Sequence, residues 1–137
     1  MRVILDTNVF VSGLIRRDSP PGQILELWFE GRFTLLSHVL LLDELRTVTR
    51  RDRIRAMIRP SEAGRLVNQI PAASELVSEL PHGRRSTDPA DDFLLAMCEA
   101  GRADYLVSGD KSRLLILGRH ESTIILTARK FYEVLSR

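Results

Sequence analysis

The sequence is short of aromatic residues and has almost no cysteine, and both shortages exclude classes of protein. Only 6% of its 137 residues are aromatic, and they form no basic–aromatic pattern of the kind that stacks RNA bases. The single cysteine, Cys98, cannot form an internal disulfide, so a disulfide-built secreted scaffold is excluded. A free thiol within an apolar run suits a reducing compartment, and we expect a cytoplasmic protein.

Long hydrophobic runs and a dominant charge are also missing. No apolar stretch approaches the roughly 20 residues needed to cross a bilayer, and the start of the chain lacks the pattern of a signal peptide. Lys and Arg total 20 against 18 for Asp and Glu, which gives a net charge of +2. We therefore expect a soluble protein without a membrane partner, whose other partners depend on where the charges lie.

Short apolar runs alternate with helical patterns along the whole chain. We expect strands at residues 3–5, 33–36, 75–79, 105–107 and 122–126. Helices are expected at 9–15, 23–30, 39–50, 89–101 and 128–135, with two shorter ones within 51–70. This alternation predicts an α/β fold in one domain, residues 1–137, with a central parallel sheet of about five strands flanked by helices.

Two aspartates follow predicted strands, at the edge where parallel sheets bind ligands. Asp6 comes directly after the first strand, and Asp110 follows the strand at residues 105–107. Asn8 is the more natural cap for the helix after the first strand, which leaves Asp6 for a site role. Asp110, followed by Lys111, fits a site or a simple turn equally well.

Glu44 is a third candidate because of its place on a predicted helix. Helical spacing puts it near the edge of an apolar face formed by Leu41, Leu45 and Val48, whereas Asp43 should face solvent. A carboxylate on a buried face is costly unless it is paired or bound to a cation. The alternative is an interior ion pair with an arginine.

Asp88, Asp91 and Asp92 occur together at the start of one predicted helix. Asp88 before Pro89 is typical of an N-cap, and Asp91 fits the first turn, where the helix dipole favours acids. Asp92 has no such structural explanation and adjoins the buried face. Asp92 is therefore the predicted site residue, with Asp88 and Asp91 as second choices in supporting positions.

Convergence of Asp6, Glu44, Asp92 and Asp110 predicts a cation site. Carboxylates brought together raise one another's pKa values unless a cation compensates, and an all-oxygen ligand set selects Mg²⁺ or Mn²⁺. An ion of this kind activates water for attack on a phosphodiester. Zinc is disfavoured because the three histidines are scattered and the cysteine stands alone.

Four segments occur in order along the chain: LDTNVF from Leu5, LDEL from Leu42, DPADD from Asp88 and DYLVSGDK from Asp104. Together they resemble the PIN domain, and most closely the toxins of prokaryotic toxin–antitoxin pairs. The resemblance covers nearly the whole chain. One departure is Phe93, which directly follows Asp92 where this branch often has a further, polar residue.

The resemblance implies an Mg²⁺- or Mn²⁺-dependent endoribonuclease that hydrolyses single-stranded RNA and serves as the toxin of such a pair. It carries catalytic and metal-binding roles onto Asp6, Glu44, Asp92 and Asp110, and supporting roles onto Asn8 and Ser108. It also implies a cognate antitoxin protein as partner, and a homodimer stays open. RNA rather than DNA as the substrate rests on the resemblance alone.

An arginine-rich stretch between residues 46 and 59 is the predicted contact with RNA. Arg50, Arg51 and Arg53 fit a phosphate-contacting rim beside an acidic metal site, or equally a solvated helix face.

Other classes of function compete with a nuclease. An aspartyl-phosphate phosphatase needs a second aspartate where Asn8 stands, and a signalling receiver needs paired acids after its first strand. The alternative that stays open is a catalytically weak PIN-like module that binds RNA or protein. Such a module is expected to lack at least one of the four acids, and none is missing.

Overall fold

A six-stranded sheet forms the centre of the computed structural model, which describes residues 1–109 and 112–137. The strands are β1 (Arg2–Leu5), β2 (Thr34–Ser37), β3 (Glu75–Leu76), β4 (Tyr105–Ser108), β5 (Arg119–His120) and β6 (Thr123–Thr127). The helices are α1 (Thr7–Ile15), α2 (Pro20–Phe29), α3 (Val39–Thr49), α4 (Asp52–Arg55), α5 (Pro60–Ala72), α6 (Pro89–Gly101), α7 (Leu114–Leu117) and α8 (Ala128–Leu135). The predicted α/β class is confirmed.

The strand order, β3-β2-β1-β4-β6-β5, reverses direction at β1. Strands β2 and β3 lie on one side of β1, and β4 and β6 lie on the other side. Among the described strands, only β5 runs antiparallel to its neighbour. The carboxyl ends of β1 and β4 therefore flank the switch point at which open parallel sheets bind ligands. The backbone N–H of Asp6 donates to the carbonyl oxygen of Val107 at 3.0 Å and holds these two ends together.

Alternate residues of the central strands enter two separate cores. Val3, Leu5 and Val107 pack on one face of the sheet, whereas Ile4 and Leu106 pack on the other, and all five are fully buried. Helices α1, α2, α5 and α8 and most of α3 cover the first face, and α6 and α7 cover the second. Burial on both faces explains why these strands are continuous apolar runs.

The start of α1 differs from the prediction. This helix begins at Thr7, so Asp6 occupies the N-cap position and Asn8 lies inside the first turn; Asn8 is not the cap. The Asp6 side chain nevertheless makes no capping hydrogen bond. Because Asp6 is fixed to β4 through its backbone, the chain turns into the helix immediately after the strand.

Two further boundaries have local physical reasons. Helix α2 begins at Pro20 rather than at residue 23, because Ser19 caps it by accepting from the Gly22 N–H and prolines suit the first turn. Helix α3 is capped by His38, whose Nδ1 accepts from the Leu40 N–H at 3.0 Å. The short β5 and α7 were not predicted, since each has too few residues to show a periodicity.

Within the described ranges, every helix is too short or too polar to cross a membrane.

Close packing at the start of α2 gives a first prediction. A Cβ added at Gly22 would lie 2.3 Å from the Arg17 carbonyl oxygen and 2.6 Å from that of Arg16. We expect Gly22→Ala to lower the free energy of unfolding by about 1–3 kcal/mol, because backbone atoms must shift.

Gly64 in α5 is the matched control, because an added Cβ there has no neighbour within 4 Å. Gly64→Ala should raise the free energy of unfolding by about 0.5–1 kcal/mol through helix propensity. Chemical denaturation measures both variants. A Gly22→Ala protein as stable as Gly64→Ala would contradict this account of the packing.

Candidate active site

Asp6 lies at the switch point of the sheet, held by the end of the neighbouring strand. The Ser108 hydroxyl donates to Asp6 Oδ2 at 3.0 Å, and Ser108 itself is fully buried at the end of β4. The Asp6 side chain is only half-buried, since its other side faces a cavity. The serine thus fixes the orientation of this carboxylate and leaves part of it accessible.

A cavity of about 700 Å³ opens in front of Asp6, and we call it the acid cavity. Four carboxylates line it from three parts of the chain: Asp6 after β1, Glu44 from α3, and Asp88 and Asp91 from the start of α6. The other lining residues are Asn8, Ser12, Ala90, Leu94, Gly109, Ser112 and Arg113. The predicted convergence of Asp6 with Glu44 is therefore observed.

The carboxylates of the acid cavity influence one another's ionisation. Burial is the main cause that raises the pKa of Asp6, and the charges of Glu44 and Asp91 raise it further, against hydrogen bonds from Ser108 and the Thr7 N–H. Burial also raises the pKa of Asp91, with a contribution from Asp88. Arg113 is the described cation that opposes the shift of Asp91. Among the described residues, this negative charge is incompletely compensated.

These residues fit a hard divalent cation. The donors facing the acid cavity are carboxylate and hydroxyl oxygens, which Mg²⁺ and Mn²⁺ prefer over zinc. A bound cation would relieve the repulsion that raises the pKa values of Asp6 and Asp91. Asp6, Glu44 and Asp91 are the residues that would hold it.

Asp92 lies elsewhere, and this corrects the predicted geometry of α6. Its Oδ1 accepts from the backbone N–H groups of Arg85 and of Ser86, the latter at 3.0 Å, and it does not line the acid cavity. These bonds lower its pKa. Successive helical residues point about 100° apart, and the hydrogen bonds from the loop hold Asp92 on the side away from the acid cavity. Asp91, and not Asp92, lines that cavity.

Asp88 is the N-cap of α6, as predicted. Its Oδ1 accepts from the Ala90 N–H at 2.9 Å and from the Asp91 N–H at 3.4 Å, with Pro89 in the first turn. The same carboxylate borders the acid cavity.

Glu44 reaches the acid cavity from an exposed position and not from a buried helix face. The buried residues of α3 are Leu41, Leu42 and Leu45 together with Thr49, and Glu44 stands just outside that arc. The sequence analysis placed Glu44 too close to the buried face, because Leu42 is also buried and moves the centre of that face away from Glu44. Asp43 faces solvent as predicted and pairs with Arg46 at 3.2 Å.

The remaining predicted site residues are Asn8, Ser108 and Asp110. Asn8 lines the acid cavity and is exposed, and Ser108 contacts Asp6. Asp110 lies outside the described residues. Sequence reasoning missed Ser12, Ser112 and Arg113; a hydroxyl one turn after Asn8 is a usable signal for Ser12, whereas nothing local marks the other two.

A second polar cluster fixes the loop that leads into α6. Arg85 pairs with both carboxylate oxygens of Glu99, and His120 Nε2 lies 2.7 Å from Glu99 Oε2. These contacts, with Arg85 first, lower the pKa of Glu99 to about 2. His120, one of the three histidines scattered along the sequence, lies beside Glu99 and Glu121. Because Arg85 already occupies Glu99, this cluster acts as an ion-pair network.

The three arginines predicted to contact RNA lie in α4 or just before it, and none of them lines the acid cavity. Arg50, Arg51 and Arg53 are all exposed. Arg50 borders a separate cavity between α3, α4 and α5, and Arg51 and Arg53 do not line it.

The fold and the site define the class of this protein: an α/β protein whose mostly parallel sheet carries a cluster of carboxylates at its switch point. A family model described as PIN domain matches residues 2–112 of this chain. The chain belongs to the PIN domain family. PIN domains are generally nucleases, and they usually use divalent metals.

Relatives give little beyond the family. An uncharacterized protein of Methanocaldococcus jannaschii is 40% identical over 45 residues. That match spans 33% of this chain and 29% of the archaeal protein. No solved structure matches significantly.

The Glu99 network gives a second prediction, on pH. The folded-state pKa of Glu99 is about 2, below the ordinary value for a glutamate, so ionised Glu99 favours the folded state. That contribution is present above about pH 5 and is lost as the pH falls toward 2. Glu99→Gln should therefore lower the Tm by a few degrees at neutral pH, and the gap from wild type should narrow on acidification.

The control is Glu79→Gln, because Glu79 is exposed and makes no ion pair among the described residues. Its Tm should follow that of the wild type at each pH in a thermal melting series. A gap for Glu99→Gln that widens on acidification would mean that the sign of this linkage is wrong.

Proposed function

We propose that this protein is an Mg²⁺- or Mn²⁺-dependent endoribonuclease that hydrolyses phosphodiester bonds of single-stranded RNA. The observation that carries the proposal is the gathering of Asp6, Glu44 and Asp91 around one cavity, with the pKa values of Asp6 and Asp91 raised. Membership of the PIN domain family supports nuclease chemistry at this position. Asp110 remains a proposed further ligand on the strength of the resemblance.

Four residues of the acid cavity have a part in this reaction. A divalent cation bound there would lower the pKa of an attacking water and stabilise charge on the leaving oxygen. Asp6, oriented by the Ser108 hydroxyl, would hold the cation together with Glu44 and Asp91. Glu44 is the most exposed of these three carboxylates and accepts the proton of the attacking water. Arg113, also exposed at the cavity, pairs with a phosphate oxygen of the substrate.

RNA is the proposed substrate, with exposed arginines supplying long-range attraction. Arg50, Arg51 and Arg53 make no ion pair among the described residues and offer three positive charges on one side of the molecule. Attraction of this kind supports a polyanionic substrate and is independent of sequence. The position of the carboxylates in a cavity supports a single-stranded substrate, because a flexible strand can bend to reach them. Since aromatic residues for stacking are few, specificity would come from the shape and reach of the strand.

A biological role as the toxin of a toxin–antitoxin pair is part of the proposal. It rests on the resemblance of the four sequence segments to such toxins. This role implies a cytoplasmic protein that binds a cognate antitoxin. We also propose that the chain forms one domain and that a homodimer is a further assembly. A purified complex with the product of an adjacent gene is the direct test.

Metal-dependent cleavage is the third prediction. The wild-type protein should cut single-stranded RNA in Mg²⁺ or Mn²⁺ and stop in excess chelator, and Asp6→Asn should lower the rate by at least about a hundredfold because the cation loses its oriented ligand. Gel analysis of end-labelled RNA measures the rate. Full activity in chelator would remove the metal mechanism, and binding without cleavage would favour an RNA-binding module.

The fourth prediction separates Asp91 from Asp92. Asp91→Asn removes a charge that is repelled by its neighbours, so its Tm in chelator should equal or exceed that of wild type, while the rise in Tm on adding Mn²⁺ should shrink. Asp92→Asn weakens the hydrogen bonds to Arg85 and Ser86 and should cost about 1 kcal/mol in either buffer.

Thermal melts of the two variants with and without Mn²⁺ make this comparison, with the wild type as reference. Asp92→Asn should retain the full Mn²⁺-dependent rise. If Asp92→Asn loses that rise while Asp91→Asn keeps it, the ligand drawn from α6 is Asp92, as the sequence predicted.

A further inference from the structure

A second cavity, of about 570 Å³, lies between α3, α4 and α5, and we call it the arginine cavity. Arg46 from α3, Arg50 directly after that helix and Arg55 from α4 line it. Its apolar lining includes the buried side chains of Ile58 and Val67. A cationic rim over an apolar floor is the surface expected to bind a ligand with both a negative charge and an apolar body.

The positive charge of this cavity is hardly neutralised by the protein. Arg50 and Arg55 make no ion pair among the described residues. Arg46 pairs with Asp43 at 3.2 Å, but 42% and 60% of these two side chains are exposed, so the pair contributes little. Three guanidinium groups at one cavity repel each other, and a bound anion would relieve that repulsion.

We propose that the arginine cavity binds one nucleotide of the RNA strand outside the cleavage site. The phosphate pairs with Arg50 and Arg55, and the base and ribose lie on the apolar floor, with a guanidinium plane available to stack on the base. The volume of the cavity falls in the range of about 300–1,000 Å³ typical of small-ligand sites. This inference rests on the proposed function, since it treats RNA as the substrate.

The position of the arginine cavity relative to the acid cavity supports a single strand that reaches both. On α3, Glu44 lies at one edge of the buried arc and Arg46 lies at the other edge, and Arg50 directly follows the helix. The two cavities thus flank one helix, which is about 10 Å across. A strand of a few nucleotides can pass over the exposed side of α3, where Asp43 is already paired with Arg46.

RNA suits this site better than an acidic peptide does. The neighbouring acid cavity repels carboxylate side chains, whereas a cation bound there would attract the next phosphate of the same strand. An acidic protein segment would satisfy the arginine cavity only, and it is the alternative that the experiment must detect.

Direct binding of a fluorescent single-stranded RNA of about ten nucleotides tests the proposal, in chelator so that the strand stays intact. Arg50→Gln/Arg55→Gln removes two charges from the cavity, and Arg102→Gln/Arg119→Gln removes two exposed charges that line neither cavity. We expect at least a tenfold weaker Kd for the first pair and less than about a threefold change for the second. Equal losses would overturn the proposal, because surface charge alone would then explain binding.

A charge-neutral variant tests the cavity itself. Gly64 lines the arginine cavity and has open space around its Cβ position, so Gly64→Leu should fold and partly fill the cavity. We expect RNA binding to weaken at least about threefold although every arginine is kept. Unchanged binding would overturn the proposal, as would a polyglutamate peptide of equal charge that binds more tightly than RNA.

Cleavage by the wild type in Mn²⁺, measured separately, keeps this inference distinct from the proposed function. If RNA binds with the expected losses of affinity in the variants but is not cleaved, the proposed role of the arginine cavity is supported and the proposed nuclease function is wrong. If RNA is cleaved but the two arginine pairs lose equal affinity, only the proposed role of the cavity is wrong. Failure of the wild type to bind RNA at all would overturn this inference.

Discussion

The parallel pairing of β1 with β4 is the constraint on which the rest of the site depends. The last three residues of both strands are buried, and the Asp6 backbone joins Val107 where the two strands end. Ser108 donates to the Asp6 carboxylate, and α1 starts directly after Asp6. A carboxylate held there, half-buried and beside other acids, has a raised pKa and fits a cation-binding role.

The start of α6 shows how one short acidic segment serves three purposes. Asp88 caps the helix, Asp91 faces the acid cavity, and Asp92 accepts hydrogen bonds from the preceding loop. The loop is fixed a second time by the pairing of Arg85 with Glu99. The aspartate that lines the acid cavity is therefore placed by contacts made outside that cavity, which lets the acidic groups stay close despite their repulsion.

Helix α3 separates two cavities of opposite charge. Its leucines pack into the cores on the two faces of the sheet, and the residues at the two edges of that buried arc, Glu44 on one side and Arg46 on the other, border different cavities. A nuclease needs both kinds of surface, since carboxylates that hold a cation repel the polyanion that must approach them. An amphipathic helix resolves this conflict by holding the two charges about a helix width apart.

Patterns within short segments determined the α/β class, the bounds of α8, the cap at Asp88 and the place of Asp6 directly after a buried strand, because strand burial, helix periodicity and capping are local. Tertiary structure decided which of two adjacent aspartates faces the cavity, since Asp92 is held by a loop whose path depends on Arg85 and Glu99. The exposure of Glu44 and the grouping of Arg46, Arg50 and Arg55 also came from helix packing, because neither is fixed until α3, α4 and α5 meet.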